Sequence, residues 1–157
     1  MKYLKNKNYK GQSMFEMVLA IFIITMIIVA VVVLSTNSIS NSLFSRNKTT
    51  ANRYSQEAIE WLRSERDLDF ENFKTNAIGT YCLQNPLSSS TWSNTGACSS
   101  SEVIDTNSIF KRDVVFTTTA ISASQNAVQA VVTTRWDDSR GTHEAIITTN
   151  FTDIRER

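Results

Sequence analysis

The sequence of 157 residues is poor in the residue types on which most enzyme sites depend. His143 is its only histidine, which excludes a metal site built on two histidines and limits any serine–histidine triad to one strand residue beside Glu144. Four glycines form no phosphate-binding loop, and Cys82 and Cys98 are too far apart for a CxxC pair. We therefore expect no enzyme, no metal and no cofactor, and we interpret His143 as an exposed strand residue.

The chain also lacks an excess of positive charge. Its sixteen basic and fifteen acidic residues give a net charge of +1, and four of the lysines, Lys2, Lys5, Lys7 and Lys10, precede Gly11. Without residues 1–11, twelve basic residues would face fifteen acidic ones, a net charge of −3. Because nucleic-acid binders normally carry a basic surface, we predict no nucleic-acid partner.

From Met17 to Leu34 the chain has no charge, no glycine and no proline, and Thr25 is its only polar side chain there. As a helix this run is long enough to cross a hydrocarbon core of roughly 30 Å. The lysines before it predict a cytoplasmic N-terminus, and everything after Leu34 is then exported. The alternative is a secretory signal cut near Ser38 or Ser40, although the run is longer than most such signals.

Both cysteines lie beyond the apolar run, in the part of the chain predicted to be exported. A disulfide between Cys82 and Cys98 persists if that compartment is oxidising. The alternative is two free thiols, because the sequence alone gives no distance between them.

The segment from Ser35 to Phe70 also lacks glycine and proline, and it predicts that the apolar helix continues as an amphipathic one. Such a stripe needs a partner surface in the rest of the chain, and we expect Trp61 to lie in that core. The charged residues from Glu57 to Asp67 are typical of a solvated face. The predicted stripe comprises Ile39, Leu43, Tyr54, Ala58, Trp61 and Leu62.

The partner surface is predicted in the C-terminal part. Residues 74–101 hold two glycines, the proline and a serine run, which predicts an irregular loop with Trp92 exposed. Alternating apolar residues then predict three strands, with the last two closed as a hairpin by Asp137–Gly141. The strands are Phe110–Ile121, Ala127–Trp136 and His143–Phe151, with inward residues Phe110, Val114, Phe116 and Ala120, then Val128, Ala130, Val132 and Trp136, then Ala145, Ile147 and Phe151.

These elements predict an α+β fold, a long N-terminal helix packed on an antiparallel sheet as a roll. The helix is transmembrane in its first half and amphipathic in its second. The predicted organisation is a basic leader 1–11, an apolar helix 12–34, its amphipathic continuation 35–70 and an exported head 71–157.

One carboxylate, Glu16, stands at the edge of the apolar run. It is the fifth residue after Gly11, which ends the basic leader. This combination resembles the class III leader of type IV prepilins and pseudopilins. The resemblance implies that a prepilin peptidase cleaves between Gly11 and Gln12 and methylates the new amine of Gln12. It also implies that Glu16 compensates that amine when subunits assemble through their apolar helices.

Two later segments, Ala51–Asp67 and Val131–Arg157, are similar to the helix and closing hairpin of modification-type minor pilins and I-type minor pseudopilins. The resemblance implies a structural subunit of a type IV pilus or type II secretion-like filament. Its partners would be the peptidase, other pilin or pseudopilin subunits, an inner-membrane assembly platform and, before assembly, lipid. The alternative is an unprocessed single-pass membrane protein whose exported domain binds a ligand or partner.

Overall fold

The computed structural model describes residues 12–120 and 126–153, with side chains for 14–118 and 127–153. It contains a long helix and a four-stranded antiparallel sheet whose strands follow the order β1-β2-β3-β4. The predicted α+β architecture is confirmed. The elements are α1 (Gln12–Leu68), α2 (Phe70–Asn76), β1 (Gly79–Cys82), a 3-10 helix (Ser89–Ser93), β2 (Phe110–Ala120), β3 (Asn126–Asp138) and β4 (Gly141–Phe151).

The chain divides into two compact units, Met1–Phe44 and Ser45–Arg157. In the first unit every described residue is helical, which fits a segment that lacks the helix breakers glycine and proline after Gln12. In the second unit the remaining turns of α1 pack on the sheet.

Within the second unit, α1 meets the sheet through a narrow stripe with helical spacing. Its members are buried, and two of them, Ala51 and Ala58, are small enough to let the helix backbone approach the strands closely. A buried hydrogen bond of 2.7 Å joins Ser55 Oγ to Thr134 Oγ1 of β3. The stripe consists of Ala51, Ser55, Ala58, Ile59 and Leu62.

This stripe differs in part from the predicted one. Ala58 and Leu62 are buried as expected, whereas Tyr54 and Trp61 are only half-buried. Ile39 and Leu43 are 63% and 53% exposed. The predicted stripe is therefore buried only in the second unit, and its two members in the first unit are exposed.

The long helix ends at Leu68, and after a single residue, Asp69, a second short helix begins at Phe70. Asp69 adopts an extended backbone and its carboxylate accepts a hydrogen bond of 3.1 Å from the N–H of Asn72. This N-cap satisfies a donor that the new helix would otherwise leave free. It turns α2 so that Phe73 enters the core, 5.3 Å from the ring of Phe151.

The three predicted strands are present, and their inward faces follow the expected period of two. Phe110, Val114 and Phe116 of β2 are buried, as are the four predicted residues of β3. The side chain of Ala120, the fourth predicted inward residue of β2, and the predicted strand end Ile121 lie outside the described residues. On β4, Ala145 and Phe151 are buried and Ile147 is half-buried. Asp138 pairs with Gly141 across the hairpin, where the positive φ of Gly141, 121°, suits glycine.

The predicted irregular loop, residues 74–101, is more ordered than its composition suggests. It includes the end of α2, the strand β1 and the 3-10 helix. Trp92, predicted to be exposed, is half-buried, because the loop folds back and brings its ring to 5.2 Å from Trp61 and 5.3 Å from Tyr81. Its indole Nε1 donates a hydrogen bond of 3.1 Å to Glu65. Glu65, which is predicted to belong to a solvated face, therefore also holds the indole of Trp92 against α1.

Candidate functional site

The first unit presents a long apolar surface that its own described residues leave uncovered. All the large apolar side chains from Met14 to Leu34 are exposed, from 46% at Leu19 to 74% at Met14. Since burying one such side chain is worth about 1.5–3 kcal/mol, leaving this surface in water would cost on the order of 20 kcal/mol or more. The helix is long and apolar enough to cross a membrane, by length and composition.

Thr25, the polar side chain between Met17 and Leu34, needs no hydrogen-bond partner outside its own helix. Thr25 Oγ1 donates to the carbonyl of Phe22 at 2.8 Å, within the helix itself. Thr36, just beyond the run, donates in the same way to the carbonyl of Val32 at 2.9 Å. Because their hydroxyl groups already have an acceptor, these residues can enter hydrocarbon or a helix bundle at little cost.

Glu16 is the one charged residue at this surface. It lies in α1 with its side chain exposed, between Phe15 and Met17, which are 72% and 65% exposed. Among the described residues no cation forms an ion pair with it. Gln12 begins α1, while Gly11 and the rest of the predicted leader lie outside the described residues. Cleavage and methylation therefore remain predictions.

In the second unit, Cys82 and Cys98 are joined by a disulfide, with their Cα atoms 4.7 Å apart. Cys82 ends β1 and is buried, and Cys98 lies in the following loop. The loop between them is also held by the backbone N–H of Gly96, which donates to the carbonyl of Thr80 at 2.7 Å. The disulfide and this hydrogen bond fix the segment that carries Trp92.

Beside the disulfide, two adjacent residues of β2 point in opposite directions and are both buried. Arg112 lies on the inward face, and its guanidinium donates to the carbonyls of Tyr54 at 2.7 Å and Leu83 at 3.3 Å. It also contacts Glu57 Oε2 at 3.3 Å and Asn85 Oδ1 at 3.0 Å. Burial lowers the pKa of Arg112, and the carboxylate of Glu57 opposes that effect. Arg112 thus connects α1 to the loop after β1.

Asp113 lies on the outer face of β2, where its carboxylate accepts a 2.7 Å hydrogen bond from the N–H of Cys98 and pairs with Arg135 of β3. Its carboxylate and the sulfurs of Cys82 and Cys98 lie within 4.8 Å of one another, a spacing that suits a metal. The disulfide removes both thiolates, and Asp113 is already paired with an arginine. The cluster therefore does not have the donor set of a metal site.

His143 is half-buried, not fully exposed as predicted. Its Nε2 lies 3.0 Å from Asp138 Oδ1, and its ring centroid is 5.4 Å from that of Trp136. The pKa of Asp138 is lowered, first by the backbone N–H of Arg140 and then by His143. His143 thus pairs with a hairpin carboxylate that the sequence did not single out.

Comparison with protein-family models, curated proteins and solved structures found no match to this chain.

Of the predicted site residues, Glu16 belongs to the first unit and the two cysteines belong to the second. Sequence reasoning missed the network around Arg112. A signal was present, because the alternation in β2 places Arg112 on the same face as Val114 and Phe116. An arginine at an inward strand position requires buried acceptors, and those acceptors are provided by α1 and the loop after β1.

Proposed function

We propose that this protein is a structural subunit, of the minor pilin or pseudopilin type, of a filament assembled from membrane-inserted precursors. In this proposal a prepilin peptidase cleaves after Gly11 and methylates Gln12. The apolar part of α1 then holds the subunit in the inner membrane until it passes into the helix core of the filament. The exported head contributes to the filament surface.

The observation that carries the proposal is the apolar surface from Met14 to Leu34, which is uncovered over its whole length and has one carboxylate at its end. A lipid bilayer and a bundle of like helices are both environments that cover such a surface. The second unit of the chain, Ser45–Arg157, hereafter called the head, already buries its own core, which includes Leu62, Phe73 and Val132. The chain thus combines a folded head with a helix that needs an external partner.

Glu16 distinguishes the filament from a simple anchor. A carboxylate at the membrane interface costs little, so an anchor gains nothing from it. In a helix bundle, the positively charged amine of Gln12 and the carboxylate of a neighbouring Glu16 would each be costly when unpaired. Pairing them between subunits would fix the axial register.

The same exposed surface also supports a second function, that of a single-pass membrane protein whose exported domain binds a partner. In that case the leader stays attached and Glu16 remains an interfacial residue. The two functions therefore differ in the mature N-terminus and in the role of this carboxylate.

The experiment is to replace Glu16 by alanine and to compare sheared filaments with the membrane fraction. We expect Glu16→Ala to insert and to lose its leader, because the apolar run and the lysines are unchanged. We expect at least a tenfold loss from the filament fraction, since an unpaired buried charge costs roughly 3–5 kcal/mol. The control is Glu71→Ala, which removes an exposed carboxylate of α2. Equal incorporation of Glu16→Ala and wild type would overturn the proposal and favour the anchor.

A further inference from the structure

A second surface feature lies in the head. A cleft opens between the outer side of α1 and the loops on either side of the 3-10 helix. We call it the Trp61 cleft. It is lined by Glu57, Trp61, Asn85, Pro86, Leu87 and Asp105.

The charges around the Trp61 cleft do not balance. Arg112 lies behind it with a fully buried side chain, 3.3 Å from Glu57 Oε2. The second carboxylate, Asp105, is exposed, and its Oδ2 lies 3.5 Å from Asn85 Nδ2. Glu57 pairs with the guanidinium, whereas Asp105 is connected to it only through the amide of Asn85, which leaves one net negative charge. Among the described residues no other cation forms an ion pair with either carboxylate.

The buried network also fixes where the polar groups of the cleft stand. Arg112 Nη2 donates to Asn85 Oδ1 at 3.0 Å, which orients the amide nitrogen of Asn85 toward Asp105. The backbone N–H of Asn85 donates to the carbonyl of Ile104 at 3.0 Å. Because these contacts hold the loop before any ligand arrives, little ordering is required on binding.

The remaining walls are apolar. The Trp61 indole is half-buried and is supported from behind by Trp92, with ring centroids 5.2 Å apart. Leu87 is half-buried against the core, and Pro86 is exposed. An aromatic ring and carboxylates around one opening attract a cation that also has an apolar stem, by charge pairing and by cation–π interaction.

We propose that the Trp61 cleft binds a positively charged side chain, an arginine, of a partner protein. The occupant follows from the charge: one guanidinium neutralises the net negative charge of the cleft, and its planar group suits both a carboxylate and an indole ring. This site lies wholly within the head and depends on neither the leader nor Glu16. It would therefore stand even if the proposed function failed.

The test uses the full chain in detergent micelles and follows the indole N–H resonance of Trp61 by NMR. The probe is N-acetyl-arginine methylamide, and its matched control is the N-acetyl-citrulline methylamide, a neutral molecule of nearly the same shape. We expect a saturable shift with the arginine probe. We expect the citrulline probe to bind about fivefold more weakly, the upper end of the range for a partly exposed ion pair.

Two conservative variants locate the site. Asp105→Asn changes an exposed residue and should fold. Glu57→Gln keeps an oxygen that can accept from Arg112 but removes the counter-charge of that buried guanidinium, so its fold is checked by tryptophan fluorescence before binding is measured. Each should weaken binding of the arginine probe by roughly three- to fivefold. The control is Glu60→Gln, one turn along α1 and outside the cleft, which should bind as wild type does. Equal shifts with both probes, or affinity unchanged in Glu57→Gln and Asp105→Asn, would overturn the proposal.

Discussion

Two stretches of the same helix, Met14–Leu34 and Ala51–Leu62, meet opposite environments. In the first, every large apolar side chain is exposed. In the second, one stripe is fully buried against the sheet and the opposite side carries exposed charges. The chain completes the environment of the second stretch by itself, whereas the first needs a membrane or other subunits to cover it.

The polar groups of the two stretches differ in the same way. In the first, the hydroxyl of Thr25 is satisfied inside its own helix, and Glu16 has no ion-pair partner among the described residues. In the second, Ser55 bonds Thr134 across the interface, and the carbonyl of Tyr54 accepts from Arg112. Polar groups of the second stretch thus specify the position of the helix on the sheet. The single carboxylate of the first is available to specify contacts with another molecule.

The largest loss of stability is expected when Arg112 of β2, which donates to the carbonyl of Tyr54 in the second stretch, is replaced. Arg112→Ala leaves Asn85 Oδ1 and the carbonyl of Leu83 without this donor and creates a cavity beside α1. We expect the free energy of unfolding of the head to fall by about 4 kcal/mol. Urea denaturation followed by tryptophan fluorescence measures it. A loss below about 1 kcal/mol would mean that Arg112 does not hold the helix on the sheet.

A matched pair of leucines compares the two stretches directly. Leu62 is fully buried, and Leu62→Ala should lower the free energy of unfolding of the head by about 3 kcal/mol. Leu19 is 46% exposed, and Leu19→Ala should change the unfolding of the head by less than about 0.5 kcal/mol. Both variants are denatured in the same micelles. Similar losses in both would show that the first stretch also belongs to the folded core of the head.

Removal of the disulfide should lower the free energy of unfolding of the head by a slightly smaller amount. The double variant Cys82→Ser and Cys98→Ser opens a loop with a sequence separation of 16, which in the chain-entropy model costs roughly 3 kcal/mol at most. We expect a loss of about 2–3 kcal/mol, because the hydrogen bonds of Gly96 and Asn94 retain part of the loop. Thiol alkylation of the exported wild type is the accompanying measurement. Full labelling without reductant would show that the cysteines are free in the cell.

The fold could largely be predicted because its main elements follow strong periodic patterns. β2, β3 and β4 alternate with a period of two, and α1 has no glycine or proline after Gln12. The sequence does not predict β1, because its four residues, GTYC, are too few for a periodic pattern and become a strand only by pairing with β2. Trp92 is half-buried and not exposed as predicted, because its serine-rich sequence is typical of a solvated loop but the disulfide and the bridge between Tyr81 and Thr95 fold this loop back.

Only part of the candidate site could likewise be predicted from the sequence. The apolar run could be recognised because a membrane-spanning pattern depends on local sequence alone, whereas the role of Glu16 stays a prediction. The network of Arg112 could not, because its acceptors come from Tyr54, Leu83 and Asn85, up to 58 residues away in the chain. Contacts of that kind depend on the register of β2 against α1 and the following loop, which no local pattern encodes.

The most direct test of the proposed function is the intact mass of the protein extracted from membranes. We predict a mature form that begins at Gln12 and carries one methyl group, so that residues 1–11 are absent. Gly11→Val should retain the leader, because the peptidase must admit an extended backbone with almost no side chain at this position. A wild-type chain that still carries residues 1–11, or a Gly11→Val chain that loses them normally, would contradict prepilin-type processing and leave the helix as a simple membrane anchor.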